Sequence, residues 1–198
     1  IADPSLSKFL VTRNEAWRDA NWKRPVDAKW ESPDDAKGVS MGARHKFLIH
    51  NDQRWQYFNA LTFGMRREGV TDEEEPTVAD AYNFALNAKK AALTYIKNAR
   101  KEFGNGSKAE DTWWSQNVGL FLHISPHNSV QHFHLHMVDL DATGRSFDAQ
   151  QHKNLPIDVL IAVLYSEMTH PTDEEHKQKE IANKVYALLQ SAKSLPDF

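Results

Sequence analysis

Three histidines, His132, His134 and His136, occupy every second position of "SVQHFHLHMVDL", residues 129–140. Side chains on a strand repeat every two residues, so the three imidazoles share one face with Val130 and Val138, while Phe133, Leu135 and Met137 share the other. The second face reads as core. Three imidazoles in phase argue against an incidental, solvated sheet surface. Two chemistries suit such a row: metal ligation by neutral imidazoles, or nucleophilic and acid–base work on a phosphate.

Metal ligation by the row alone meets a geometric obstacle. Positions i and i+4 of a strand lie about 13 Å apart, so the outer two histidines do not share one ion with the middle one. A further ligand would have to come from His123, His127 or His152. An extended row suits a phosphate better: the middle imidazole attacks phosphorus while its neighbours support the oxygens.

The surrounding sequence supplies the elements that must position these residues. "RHKFLIH" (44–50) and "WQYFNALTF" (55–63) are rich in aromatic and branched residues and read as strands. Thr77 and Asp80 have capping-box spacing after Pro76, and a helix follows with Val78, Tyr82, Ala85, Leu86, Leu93, Ile96 and Phe103 as its apolar stripe, ending at Gly104. "NVGLFLHIS" reads as a strand with Val118, Leu120, Leu122 and Ile124 on one face and Phe121 and His123 on the other. "PHN" turns the chain into the histidine strand, its expected antiparallel neighbour. Residues 1–40 read as a short helix and irregular chain. The tail beyond "DATGRS" reads as mainly helical, with its clearest element starting at Thr172.

On these residues a resemblance can be drawn. "HFHLHMV" fits the histidine-triad signature His-φ-His-φ-His-φ-φ, with φ apolar, and Ser129 stands three residues before the first histidine. "GLFLHISPHNSVQHFHLHMV" resembles most the branch that includes aprataxin and the scavenger decapping enzyme, in which a histidine ends the preceding strand. The long helix before it fits that fold, and "GARHKFLIH" is more distantly similar to the strand leading into the family's nucleotide pocket. The convincing similarity covers residues 77–140. The turn between His123 and Ser129 is longer than in aprataxin, and a chain without cysteine has no cysteine-bearing zinc finger.

The resemblance implies a nucleotide hydrolase or nucleotidyl transferase that acts at the α-phosphate of a nucleoside monophosphate conjugate. His134 would be the nucleophile, forming a nucleotidyl-histidine that water resolves. His132 and His136 would flank it, and Ser129 would donate to phosphate oxygens. His123, in preference to His127, would protonate the leaving group. Phe47, Ile49 and Tyr57 are candidates for a wall against the base, and core packing explains them as well. His45, His50, His152, His170 and His176 read as surface or partly buried histidines without a role. The row Lys89, Lys90, Lys97, Arg100 and Lys101 reads as the wet face of the helix. No cofactor or metal is expected.

Composition bounds the alternatives. A length of 198 residues with 40 % hydrophobic content suits one compact domain. A net charge of −3 offers no global basic field for nucleic acid or an anionic membrane. The absence of cysteine excludes disulfides, thiolate zinc sites and a cysteine nucleophile. No apolar run is long enough to span a membrane, so a soluble chain is expected, cytoplasmic by default. The expected architecture is α+β: an antiparallel sheet with a long packing helix in a histidine-triad-like core over 41–150, an N-terminal extension over 1–40 and a helical C-terminal extension over 151–198 that packs on the core. Expected partners are a small nucleotide substrate and, as an allowed assembly, a homodimer. Two other functions stay open: aprataxin-like removal of AMP from nucleic-acid ends, and a nucleotide-binding module that does not turn over.

Overall fold

The structure is a computed structural model and describes residues 8–13, 40–51, 55, 76–103, 114–123 and 133–169. Its centre is a five-stranded antiparallel sheet in the order β1-β2-β4-β3-β5: β1 Phe9–Arg13, β2 His45–His50, β3 Val118–His123, β4 His134–Asp139 and β5 Asn154–Pro156. Three helices accompany it: α1 Val78–Phe103, α2 Arg145–Gln150 and α3 Ile157–Thr169. The α+β class and the antiparallel pairing of β3 with β4 follow the sequence reading. Among the described residues, no helix is long and apolar enough to cross a membrane.

The capping box forms as its spacing predicts. Asp80 N–H donates to Thr77 Oγ1 at 3.1 Å, and Thr77 N–H donates to Asp80 Oδ2 at 2.9 Å, satisfying two donors at the start of α1. The buried face of that helix includes the expected Ala85 and Ile96 but differs from expectation at its leucines. Leu86 and Leu93 are 37 % and 45 % exposed, whereas Ala81, Ala85, Ala88, Ala92 and Ala99 join Phe84 and Ile96 in the core. Small side chains let the helix lie close to the sheet, and that close fit leaves the two leucines outside it.

Alternation sorts each strand between two faces. Leu48, Leu120, Leu122, Leu135, Met137 and Leu155 point toward α1 and form one core with it and with α3. Phe84 anchors this layer, stacked on Trp55 at 4.1 Å between ring centroids and edge-on to Phe133 at 4.6 Å. The lysine-rich helix therefore packs on the sheet face opposite the histidines. Lys89 is tied to Asp158 of α3, and the Arg100 guanidinium donates to the backbone carbonyls of Trp114 and Ser115 ahead of β3. This row does not line the histidine face.

Two strands lie where helix or irregular chain was expected. In β1, Phe9 and Val11 pack against the core while Leu10 and Thr12 are exposed, a two-residue period that pairs the strand with β2. In β5, only three residues pair with β3 before α3 begins, too few for periodicity to reveal. Both flanking segments thus contribute a strand to the sheet. The strand expected over 55–63 beyond Trp55, the turn expected at "PHN" and the helix expected from Thr172 lie outside the described residues.

Candidate functional site

The histidine face of the sheet can be mapped by register. Ile49 pairs with His134, Phe47 with His136 and His45 with Val138 across β2 and β4. On the other side of β4, Phe121 pairs with His136 and Gly119 with Val138. Beyond β3, Asn154 pairs with His123. Four imidazoles, those of His45, His123, His134 and His136, therefore gather on one face from three strands.

They are in contact. The His123 and His136 rings lie 3.7 Å apart between centroids, His134 and His136 5.1 Å, and His45 and His136 5.1 Å in a stacked arrangement. Candidate ligand nitrogens of His123, His134 and His136 all fall within 4.8 Å of one another. Phe47 buttresses the group, standing edge-on to His136 at 4.8 Å and to His134 at 6.1 Å. Gly119 makes room beside it. A Cβ there would strike the Phe121 ring, which in turn contacts Phe147 of α2 at 5.8 Å.

Proton positions in this cluster can be argued from one fixed donor. The backbone N–H of Met41 donates to His45 Nδ1 at 3.1 Å. A backbone amide cannot accept, so His45 carries its proton on Nε2 and donates it to His136 Nδ1, 2.9 Å away. The His136 proton is then on Nε2, a buried atom that meets no acceptor among the described residues. His136 thus presents an N–H to the space beside His134. The Met41 amide is itself held in place: Gly144 N–H donates to Met41 O, Ala43 N–H donates to Ala142 O, and Ser146 Oγ donates to Ser40 O. Gly42 permits this approach, because a Cβ there would lie 2.5 Å from Ala142 O.

Burial keeps the rings of His45, His123 and His136 neutral. It lowers the His45 pKa from 6.5 to about 3, with the charges of His134 and Lys46 acting in the same direction. Burial likewise lowers His123 from 6.5 to about 2, reinforced by the charge of Lys153 and opposed by the Asn154 side chain. His136 is held well below 6.5 by burial and by its histidine neighbours. Among the described residues, no carboxylate belongs to the group. A neutral imidazole keeps one ring nitrogen as an acceptor and the other as an N–H donor, so this environment suits His136 to accept at Nδ1 while donating through Nε2.

The structure brings together His134, His136, His123, Phe47 and Ile49 of the residues selected from sequence. His132, Ser129, His127 and Tyr57 lie outside the described residues. His50 packs against Phe9 and Phe84 on the helix side, away from the site, and His152 is exposed. His45 was read as a histidine without a role, yet it is 7 % exposed and sets the tautomer of His136. Its alternation with Phe47 and Ile49 was the available signal. Lys153 and Asn154, at the head of β5, gave no sequence signal because their strand is so short.

No protein-family model matches this chain, and neither a curated protein nor a solved structure does.

Proposed function

We propose that the chain is a histidine-triad-type nucleotide hydrolase or nucleotidyl transferase acting at the α-phosphate of a nucleoside monophosphate conjugate. The observation that carries this reading is the histidine cluster, without a carboxylate among the described residues, in which neutral His136, keyed through His45 to the Met41 amide, aims an N–H beside His134. A nitrogen of His134 attacks phosphorus, and the bond to the leaving group breaks with its electron pair on the departing atom. Water then attacks the same phosphorus and releases His134. His136 donates to an oxygen as negative charge grows on the pentavalent centre. Phe47 and Ile49 give the β2 side of the site an apolar wall suited to a base.

The experiment is single turnover with a labelled adenylyl conjugate, quenched without acid because a histidine–phosphorus bond is acid-labile. Label is expected on His134, and His134→Ala is expected to lose turnover by roughly 10⁴-fold or more while retaining nucleotide binding. Full activity in that variant overturns the nucleophile assignment. Binding without turnover by the parent chain identifies the non-catalytic module.

A metal centre is favoured by one specific observation, the 4.8 Å grouping of His123, His134 and His136. Ligation by His136 Nε2 requires a lone pair where the network places a proton, so the Met41–His45–His136 relay would have to reverse. Activity is expected to survive exhaustive chelation; loss on chelation with recovery on added zinc establishes the metal reading instead. AMP removal from nucleic-acid ends is disfavoured by α1, whose cations lie across the sheet from the site. A steep salt dependence with an adenylated duplex would restore it.

A further inference from the structure

The donor that decides the proton order of the cluster is one half of a peptide unit. The Met41 N–H faces His45 Nδ1 at 3.1 Å, and the carbonyl of the same unit, Ser40 O, points the other way, as the two groups of a trans peptide do. There it accepts from the hydroxyl of Ser146 on α2. A continuous line of donors results: Ser146 Oγ to Ser40 O, Met41 N to His45 Nδ1, and His45 Nε2 to His136 Nδ1 at 2.9 Å. The line ends at His136 Nε2, beside His134.

Ser146 spends its hydroxyl far from its own helix. It is 0 % exposed in the first turn of a six-residue helix, where a serine commonly bonds to nearby backbone, yet its partner lies 106 residues away in sequence. Other bonds between the two segments grip the peptide units that follow: Gly144 N–H donates to Met41 O, and Ala43 N–H donates to Ala142 O. Ser40 Oγ, 3.2 Å from His45 Nδ1 and 2.8 Å from Gly42 O, does not choose a tautomer, because a hydroxyl both donates and accepts. The Ser40–Met41 peptide does choose. Turned over, it would aim the Ser40 carbonyl at His45 Nδ1, which would then carry the proton. His136 would donate from Nδ1 to His45 Nε2 and keep a lone pair at Nε2. In that arrangement the buried Ser146 hydroxyl would lose the acceptor it now has, which opposes the turn.

Resting on the function proposed above, in which His136 donates to a phosphate oxygen, we infer that Ser146 is a positioning residue: its hydrogen bond to the Ser40 carbonyl latches the Ser40–Met41 peptide and so keeps His136 a donor at Nε2. Ser146 touches no substrate and transfers no proton. Donors aligned in such a line polarise one another, so the same contact strengthens the N–H that His136 presents. The next residue, Phe147, meets Phe121 at 5.8 Å, so α2 supports both the relay and a ring of the histidine face.

The test reads the tautomers directly, by nitrogen NMR of the full chain with isotope-labelled histidine at neutral pH, where protonated and bare ring nitrogens resonate far apart. The parent is expected to carry Nε2–H on both His45 and His136. In Ser146→Ala the ratio of this tautomer to its reverse is expected to fall about 10-fold, the net effect of one hydrogen bond, and the averaged signals of both rings move accordingly. Ser40→Ala is expected to leave them in place. With an adenylyl conjugate, Ser146→Ala should lower kcat roughly 10-fold with little change in KM, because the His136 donor matters most as charge grows in the transition state. A reversed tautomer in the parent, unmoved nitrogen signals in Ser146→Ala, or an equal movement in Ser40→Ala overturns the inference. A thermal melt separates loss of fold from loss of tautomer. Ser146→Cys, whose thiol is a weaker donor, is expected to fall between parent and alanine variant and decides the question if the latter does not fold. Should the parent turn over no adenylyl conjugate, the proposed function fails, and the nitrogen signals still decide the role of Ser146.

Discussion

At one end of β4 the buried carboxylate of Asp139 is fully partnered: Oδ2 accepts from Arg44 Nε at 2.6 Å and Ser115 N at 2.7 Å, and Oδ1 accepts from Ser115 Oγ at 2.6 Å and Asp141 N at 3.1 Å. Three residues back, His136 is also buried, but its Nε2 has no hydrogen-bond partner among the described residues. Burial is common to both clusters and satisfaction is not. A polar cluster that closes on itself fixes strand positions. One that leaves donors aimed at a gap stores binding capacity at some cost in stability.

Asp139 shows what closure achieves. Burial alone would raise its pKa, but the Ser115 hydrogen bonds and the Arg44 guanidinium outweigh that and hold it below its usual value of 3.8. Through one side chain, the end of β4 is tied to the residue ahead of β2 and to the residues ahead of β3. The histidines three positions back inherit that rigidity.

The largest effect expected from breaking this contrast, after the loss of turnover in His134→Ala, is on stability at Asp139. Asp139→Ala removes the buried carboxylate to which Arg44, Ser115 and Asp141 donate, which should cost about 3–5 kcal/mol of unfolding free energy in urea titrations. A cost under about 1 kcal/mol would mean the clasp is ornamental and the contrast false.

Acid should act on the other cluster first. In the unfolded chain the histidines take protons near pH 6.5, while folded His45 and His123 resist protonation down to about 3 and about 2, and His136 also stays well below its ordinary value. Their contribution is therefore complete above pH 6.5 and is lost as pH falls below it. Three such groups give a slope of up to roughly 4 kcal/mol per pH unit. The Asp139 contribution is present above its ordinary 3.8 and is lost only as pH falls toward its lower folded value. Circular dichroism and proton uptake should thus place unfolding at mildly acidic pH; a chain stable to pH 4 would contradict the neutral cluster.

The smallest effect sharpens the contrast by changing sign. His123→Leu replaces a half-buried neutral imidazole with apolar volume and should leave stability unchanged or raise it by about 1 kcal/mol, while turnover falls. It should also reduce proton uptake on acid unfolding by about one proton. Marked destabilisation would show that His123 belongs with Asp139 as a structural residue.

Legibility in the sequence followed the length of each pattern. The capping box at Thr77 and Asp80, the alternation of Leu120 and Leu122 against Phe121 and His123, and the face shared by His134 and His136 were readable because each repeats a local rule over several residues. Leu86 and Leu93 misled because bulky apolar residues dominate a periodicity, whereas the packing surface of α1 is set by alanines, which fit a close interface without advertising it. His45 required two strands to be aligned before its partner His136 came into view. Asp139 and Ser115, 24 residues apart, carry no spacing signal at all. Long-range polar closure is decided by the fold.

The alanine surface of α1 bears on how this chain can change over evolutionary time. At Ala81, Ala85, Ala88 and Ala92, each at most 1 % exposed, nearly every substitution adds volume to a filled space, and overpacking costs typically 1–3 kcal/mol. Drift there is confined to glycine and serine, whereas exposed positions such as Leu86 and Leu93 can vary widely. A mutational scan would show this helix tolerant at its exposed leucines and intolerant at its buried alanines. Distant kin of this chain would be recognisable by the spacing of their small residues after their aromatic ones had diverged.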